Sequence, residues 1–141
     1  MKAHSEIGAS SMSRWSVCPA SVRLSRGIEK TTSEYAEEGT RAHELAETIL
    51  SHRLYNIEDQ EMYDAVIVYV NYITELQKGC SCYGIEEKFD LNAIFPGLFG
   101  TCDSWVFNSE TSTLHVIDYK HGQGIAVEAT DNKQSANLRT N

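Results

Sequence analysis

Proline is nearly absent from this 141-residue chain, which has two, and its nine glycines form no low-complexity tract. That scarcity excludes collagen-like and strongly disordered classes, and most of the chain is expected to fold. Long apolar runs are missing too. The longest, such as Ala65 to Val70, fall far short of a membrane span, and Met1 to Ser10 lacks the apolar stretch of a signal peptide. The expectation is a soluble cytoplasmic protein with no membrane partner. Cysteine is sparse: Cys18, Cys80, Cys82 and Cys102 lack the paired C-x-x-C spacing of a zinc site, so reduced thiols are the default. Cys80-Ser81-Cys82, beside Gly79 and Gly84, reads as a turn. Positive charge is short as well, 12 Lys and Arg against 20 Asp and Glu, for a net charge of −8. Wrapping duplex DNA by charge alone needs many cations and is disfavoured. An enzyme whose divalent cations neutralise carboxylates facing a phosphate remains compatible with that balance.

What is present suffices for one globular domain, residues 1–141. Ser10 to Arg26 carries Trp15, Val17, Val22 and Leu24 around Pro19, predicting two short helical pieces with a break, part of an N-terminal helical embellishment over residues 1–30. Thr31 and Glu34 have capping-box spacing. Ala42, Leu45, Ala46, Ile49 and Leu50 then mark one buried face of a helix from about Ser33 to Leu54. A second helix is expected from roughly Glu58 to Lys78, with Met62, Ala65, Val66, Tyr69, Ile73 and Leu76 inward and Gly79 ending it. Beyond Gly79 the period becomes alternating, with Ile85, Phe89 and Leu91 on one face and Glu86, Lys88 and Asp90 on the other. Phe99 to Asn108 and Leu114 to Lys120, joined by a turn at Glu110-Thr111-Ser112, complete a three-stranded meander. Ile125 to Ala129 is expected to be extended, and the tail from Asp131 to begin a helix. The class is α+β (α/β).

The chemistry concentrates in Ile117-Asp118-Tyr119-Lys120. Side chains two apart on a strand share a face, so Asp118 and Lys120 are expected to project together, with Val116 continuing that face inward. A carboxylate there can bind Mg²⁺ or Mn²⁺, and a neighbouring ammonium can orient a water and stabilise charge growing on a phosphate. An exposed ion pair at a strand end is the other reading of this triplet. Asp103, in Gly100-Thr101-Cys102-Asp103, comes within reach of Asp118 if the two strands pair, and two adjacent acids repel unless a cation holds them or one is protonated. It could equally be an Asp exposed at a strand edge. His43 flanks the apolar stripe of its helix, either as a further ligand or as a surface imidazole paired with Glu47 one turn on.

In this order the pieces resemble the PD-(D/E)XK nuclease superfamily, in particular its RecB-like exonuclease branch and similar phage- or prophage-encoded proteins. The resemblance rests on Gly8-Ala9-Ser10-Ser11 with Arg14-Trp15 and Cys18-Pro19, Glu38-Gly39-Thr40 through His43, Ile85-Glu86, Gly100 to Asp103, Ile117 to Lys120 with Gly122 and Gly124, and Asn132 with Gln134. It implies a restriction-endonuclease-like core: a helix, a three-stranded meander, a helix and a further strand. His43, Asp103 and Asp118 then correspond to metal ligands, with the Tyr119 carbonyl as a fourth, and Lys120 to the catalytic lysine. Glu86 matches the acidic position of the first strand, although alternation turns Glu87 toward the side of Ile85 and Phe89. Gln134 matches the start of a Gln-x-x-x-Tyr motif that helps place substrate.

The implied activity is Mg²⁺- or Mn²⁺-dependent hydrolysis of linear DNA, in recombination or processing inside a bacterial host. The pattern departs from the family at Leu138, where Tyr is expected, and at Asn141, where the sequence stops short of a completed helix. A longer parent chain or a second copy completing that edge through swapping or homo-oligomerisation is the corresponding expectation. No cysteine follows Cys102, so the iron–sulfur cluster of some relatives is not expected. The alternative function is a catalytically inactive nuclease fold serving as a nucleic-acid-binding or regulatory module.

Overall fold

The computed structural model describes residues 6–8, 11–28 and 33–122. Thr31, the extended stretch from Ile125, the tail helix from Asp131, Asn132 and Gln134 lie outside the described residues. The chain divides into two compact units. One holds α1 (Met12–Trp15), α2 (Ala20–Leu24) and residues 88–101, and the other holds residues 33–87 and 102–122.

In the first unit Pro19, which lacks an amide hydrogen, is the N-cap of α2 and separates it from α1. The Gly8 carbonyl accepts hydrogen bonds from Ser11 Oγ and Trp15 Nε1, both at 3.1 Å. Leu91 and Leu98 are buried, and the Leu91 amide donates to the Leu98 carbonyl at 3.1 Å.

The second unit is built on α3 (Glu34–Leu50) and α4 (Gln60–Gln77), which pack together. Ser33 caps α3 by accepting from the Ala36 amide at 3.3 Å, and Asp59 caps α4 by accepting from the Met62 amide at 3.0 Å. Ala42, Ala46 and Leu50 of α3 meet Met62, Val66, Tyr69, Val70 and Ile73 of α4 in one apolar cluster. Val66 and Ile73 are fully buried, and each contributes on the order of 1.5–3 kcal/mol by leaving water. The stripe of α4 is rotated from the expected one: Val70 is buried, Ala65 is exposed and Leu76 is only half-buried. That α4 stripe turns toward α3 rather than following every apolar residue in its sequence.

α3 ends at Leu50, four residues before the expected Leu54. His52 takes the left-handed conformation with φ 54°, its amide bonds the Ile49 carbonyl at 2.9 Å, and the Arg53 amide bonds the Thr48 carbonyl at 3.0 Å. This pair of bonds is a Schellman closure in which a histidine occupies the position that glycine usually fills.

The sheet is three-stranded and antiparallel, ordered β1 (Cys82–Asp90), β2 (Phe99–Asn108), β3 (Thr113–Ile117). β2 and β3 pair from Asn108↔Thr113 to Ser104↔Ile117. Cys102, Ser104 and Val106 are the buried side chains of β2 within this unit. A Cβ at Gly84 would stand within 2.8 Å of Trp105 Cε2, so only glycine lets the indole approach and donate to Glu87 Oε2 at 2.7 Å. Among the described residues no helix is long and apolar enough to cross a membrane.

His52 is exposed, and a left-handed non-glycine residue costs about 1–2 kcal/mol, partly offset by the greater unfolded-state freedom of glycine. His52→Gly is therefore expected to stabilise the fold by about 0.5–1 kcal/mol, raising the thermal midpoint by roughly 2–5 °C. An unchanged or lower midpoint in a melting curve would count against this closure.

Candidate metal centre

Three donors from separate elements of the second unit converge. His43 lies on α3 directly after the buried Ala42, Glu86 lies in β1, and Asp103 lies in β2 between the buried Cys102 and Ser104. His43 Nδ1 stands 3.4 Å from Glu86 Oε1 and 3.7 Å from Asp103 Oδ1. Their side chains keep only 26%, 12% and 15% of their exposure.

Glu86 reaches this place through its backbone. It is a non-glycine residue with φ 48° inside a strand, a conformation that costs about 1–3 kcal/mol and is concentrated at functional sites. The turn breaks the two-residue alternation, so Ile85 and Glu86 are both half-buried while Glu87 is exposed on Trp105. The alternation that would direct Glu87 inward is thus corrected, because the pleat it assumes is interrupted one residue earlier.

Asp103 is fixed from the other side: the amide of Tyr119 donates to its Oδ2 at 2.7 Å, just past the last paired position Ser104↔Ile117. Strand β3 ends at Ile117, so Asp118, Tyr119 and Lys120 follow the strand rather than belonging to it. Ile117 and Tyr119 are the residues that pack on the apolar cluster. Asp118 and Lys120 fall between and beyond them and are turned outward, contrary to the expected inward face with Val116. They pair with each other, Nζ to Oδ2 at 2.7 Å, with side chains 59% and 44% exposed for Lys120 and Asp118. Asp118 is not one of the three convergent donors, yet its charge is near enough to act on Asp103.

An aromatic layer backs the donors, and the sequence reading missed it. The Tyr119 ring stacks on Tyr69 at 4.6 Å and meets His43 edge-on at 5.4 Å. Tyr69 and the fully buried Ser104 share a hydrogen bond of 2.8 Å. The Tyr119 hydroxyl bonds His121 Nδ1 at 3.1 Å, and His121 Nε2 lies 3.5 Å from Glu38 Oε1 on α3. A hydroxyl at position 104, between Cys102 and Val106 on a buried face, is the one sequence signal that a polar partner awaits it. Glu47, the other candidate partner of His43, carries an ion pair with Arg53 at 2.8 Å.

The electrostatics follow from this packing. Hydrogen bonding to Glu86 raises the His43 pKa; burial opposes the rise, Asp103 and the Glu86 charge add to it, and Lys120 opposes it. Burial raises the Asp103 pKa; His43 and the Tyr119 amide pull it back down, while Asp118 and Glu86 push it further up. Burial also pushes the Cys102 thiol up to about 12, which leaves it inert as a nucleophile.

Among the described residues, His43, Glu86 and Asp103 are those that could hold a metal ion. Two ligands on one ion with bonds of about 2.1 Å stand at most about 4.2 Å apart, and both His43 contacts, 3.4 and 3.7 Å, lie inside that limit. All three donor atoms lie within 4.8 Å of one another. Two carboxylates with a single imidazole suit Mg²⁺ or Mn²⁺. Gln134, expected to place substrate, lies outside the described residues.

The chain belongs to the family described as "Protein of unknown function (DUF2800)", which it matches over residues 4–137. No solved structure matches it.

The pKa directions set a pH dependence for the metal-free protein. A raised histidine pKa contributes stability that is fully present below the ordinary 6.5 and is lost as pH rises through the elevated value. With chelator present, the midpoint is expected to fall across that window, and His43→Ala to flatten this part of the profile. A profile identical to that of the unsubstituted protein would contradict the assignment. Asp103→Asn, which removes a charge that burial disfavours while keeping an acceptor for Tyr119, is expected to raise the metal-free midpoint at neutral pH.

Proposed function

We propose that this chain is a metal-dependent DNA nuclease domain of the PD-(D/E)XK type, hydrolysing phosphodiesters of linear DNA in recombination or processing. The observation that carries the proposal is the convergence of His43, Glu86 and Asp103, drawn from positions far apart in sequence, onto a volume that suits one divalent cation. The Asp118–Lys120 pair stands directly after the strand that borders this group.

In this reading His43, Glu86 and Asp103, together with Asp118, would hold the ion. Bound Mg²⁺ or Mn²⁺ supplies Lewis-acid activation of the phosphate and lowers the pKa of a coordinated water. Lys120 would present its ammonium to orient the attacking water and stabilise the charge that grows on the phosphate. The Tyr119 amide keeps Asp103 aimed, so the ligand geometry needs little reorganisation.

A second reading keeps the cation but not the reaction: a nuclease-fold module that binds or regulates without cutting. The outward ion pair of Asp118 with Lys120 and the net charge of −8 favour it. Incubation of purified protein with Mn²⁺ and linear DNA separates the two. Degradation lost by more than 100-fold in His43→Ala, Asp118→Ala and Lys120→Ala proteins that still melt cooperatively is the expected result. Equal degradation by all three variants would identify a contaminant. A Mn²⁺-stabilised protein without cleavage would select the second reading.

A further inference from the structure

Tyr119 touches two of the three residues of the candidate centre. Its amide holds Asp103 Oδ2 at 2.7 Å, and its ring meets the His43 ring edge-on at 5.4 Å with an interplanar angle of 64°. The opposite constraint comes from α4, where Tyr69 stacks on Tyr119 at 4.6 Å and 23° and is itself tied to the fully buried Ser104. The hydroxyl end is tethered back to α3 through His121 and Glu38. Tyr119 thus connects the helix that carries His43 with the strand that carries Asp103. Metal-ligating histidines depend on such outer contacts for ring orientation, and losing one typically costs about 10–100-fold in metal affinity.

We infer that the Tyr119 side chain is a positioning residue for the cation: its ring, clamped by Tyr69, sets the orientation of the His43 imidazole toward Glu86 and Asp103. This rests on the metal reading proposed above. The aromatic face does the positioning, and the hydroxyl serves mainly to anchor the ring, so the two parts of the side chain are separable by substitution. Tyr119→Phe retains the stack and the edge contact while giving up the bond to His121. Tyr119→Leu keeps an apolar group on the core without an aromatic face for His43.

The test is a Mn²⁺ titration of the full chain by calorimetry, well below the metal-free melting midpoint of each protein, with that midpoint recorded separately. The expected result is an affinity within about threefold of the unsubstituted protein for Tyr119→Phe and a loss of at least tenfold for Tyr119→Leu. A uniform loss of stability alone would lower the midpoint and leave the affinity of the folded protein unchanged. Tyr119→Leu binding Mn²⁺ as tightly as the unsubstituted chain overturns the inference, as does an equal loss in the Phe and Leu variants. If Tyr119→Leu does not fold, Tyr119→Met, of similar bulk and without a ring, is judged by the same criterion. Failure of the unsubstituted protein to bind Mn²⁺ at all would instead remove the metal reading on which the inference stands.

Discussion

Two carboxylates beside one imidazole, all three largely withdrawn from water, form an arrangement that a folded chain tolerates by protonating one of the acids or with compensating positive charge. In the metal-free protein His43 offers part of it, as the mutual pull on the His43 and Asp103 pKa values indicates. Lys120, whose charge reaches His43, is engaged by Asp118. Burial holds the Asp103 carboxyl above its ordinary range even with His43 and the Tyr119 amide working against it. Such residual cost is expected where groups are placed for binding rather than for stability.

The fold directs its strongest constraints at that place. The α3–α4 core fixes His43 through its neighbour Ala42 and fixes Tyr69, which clamps Tyr119. The sheet ladder runs out at Ser104↔Ile117, and just past it the Tyr119 amide turns to Asp103 while Lys120 and Asp118 pair with each other outward. The left-handed backbone of Glu86 spends conformational energy to aim one more acid at the same spot. The proposed nuclease chemistry uses this convergence.

The α+β class and, among the described residues, the four helices and the three strands were legible because each has a strong local signal: a period of 3.6 in α3 and α4, Pro19 between the short helices, and alternation with β-branched and aromatic residues in β2. His43, on the flank of its helix's apolar stripe, and Asp103, on the strand before Asp118, could be singled out as ligand types, and the structure brings them together. Alternation read the inward face after β3 wrongly. It cannot report that Tyr119 finds a stacking partner in Tyr69, fifty places away on a helix, while Asp118 and Lys120 on either side of it stay exposed. Nor does an ordinary Glu-Glu pair announce a left-handed residue, so choosing Glu86 over Glu87 needed the family resemblance. The His52 closure of α3 was hidden for the same reason: histidine does not carry the turn signal that glycine does.

The central claim is that His43, Glu86 and Asp103 share one divalent cation. A crystal structure of the full chain grown with Mn²⁺, measured at a wavelength where manganese scatters anomalously, tests it most directly. The account predicts a single strong anomalous peak within about 2.0–2.3 Å of His43 Nδ1 and one oxygen of each carboxylate. Manganese bound elsewhere, with those three side chains undisturbed and no peak between them, would contradict it.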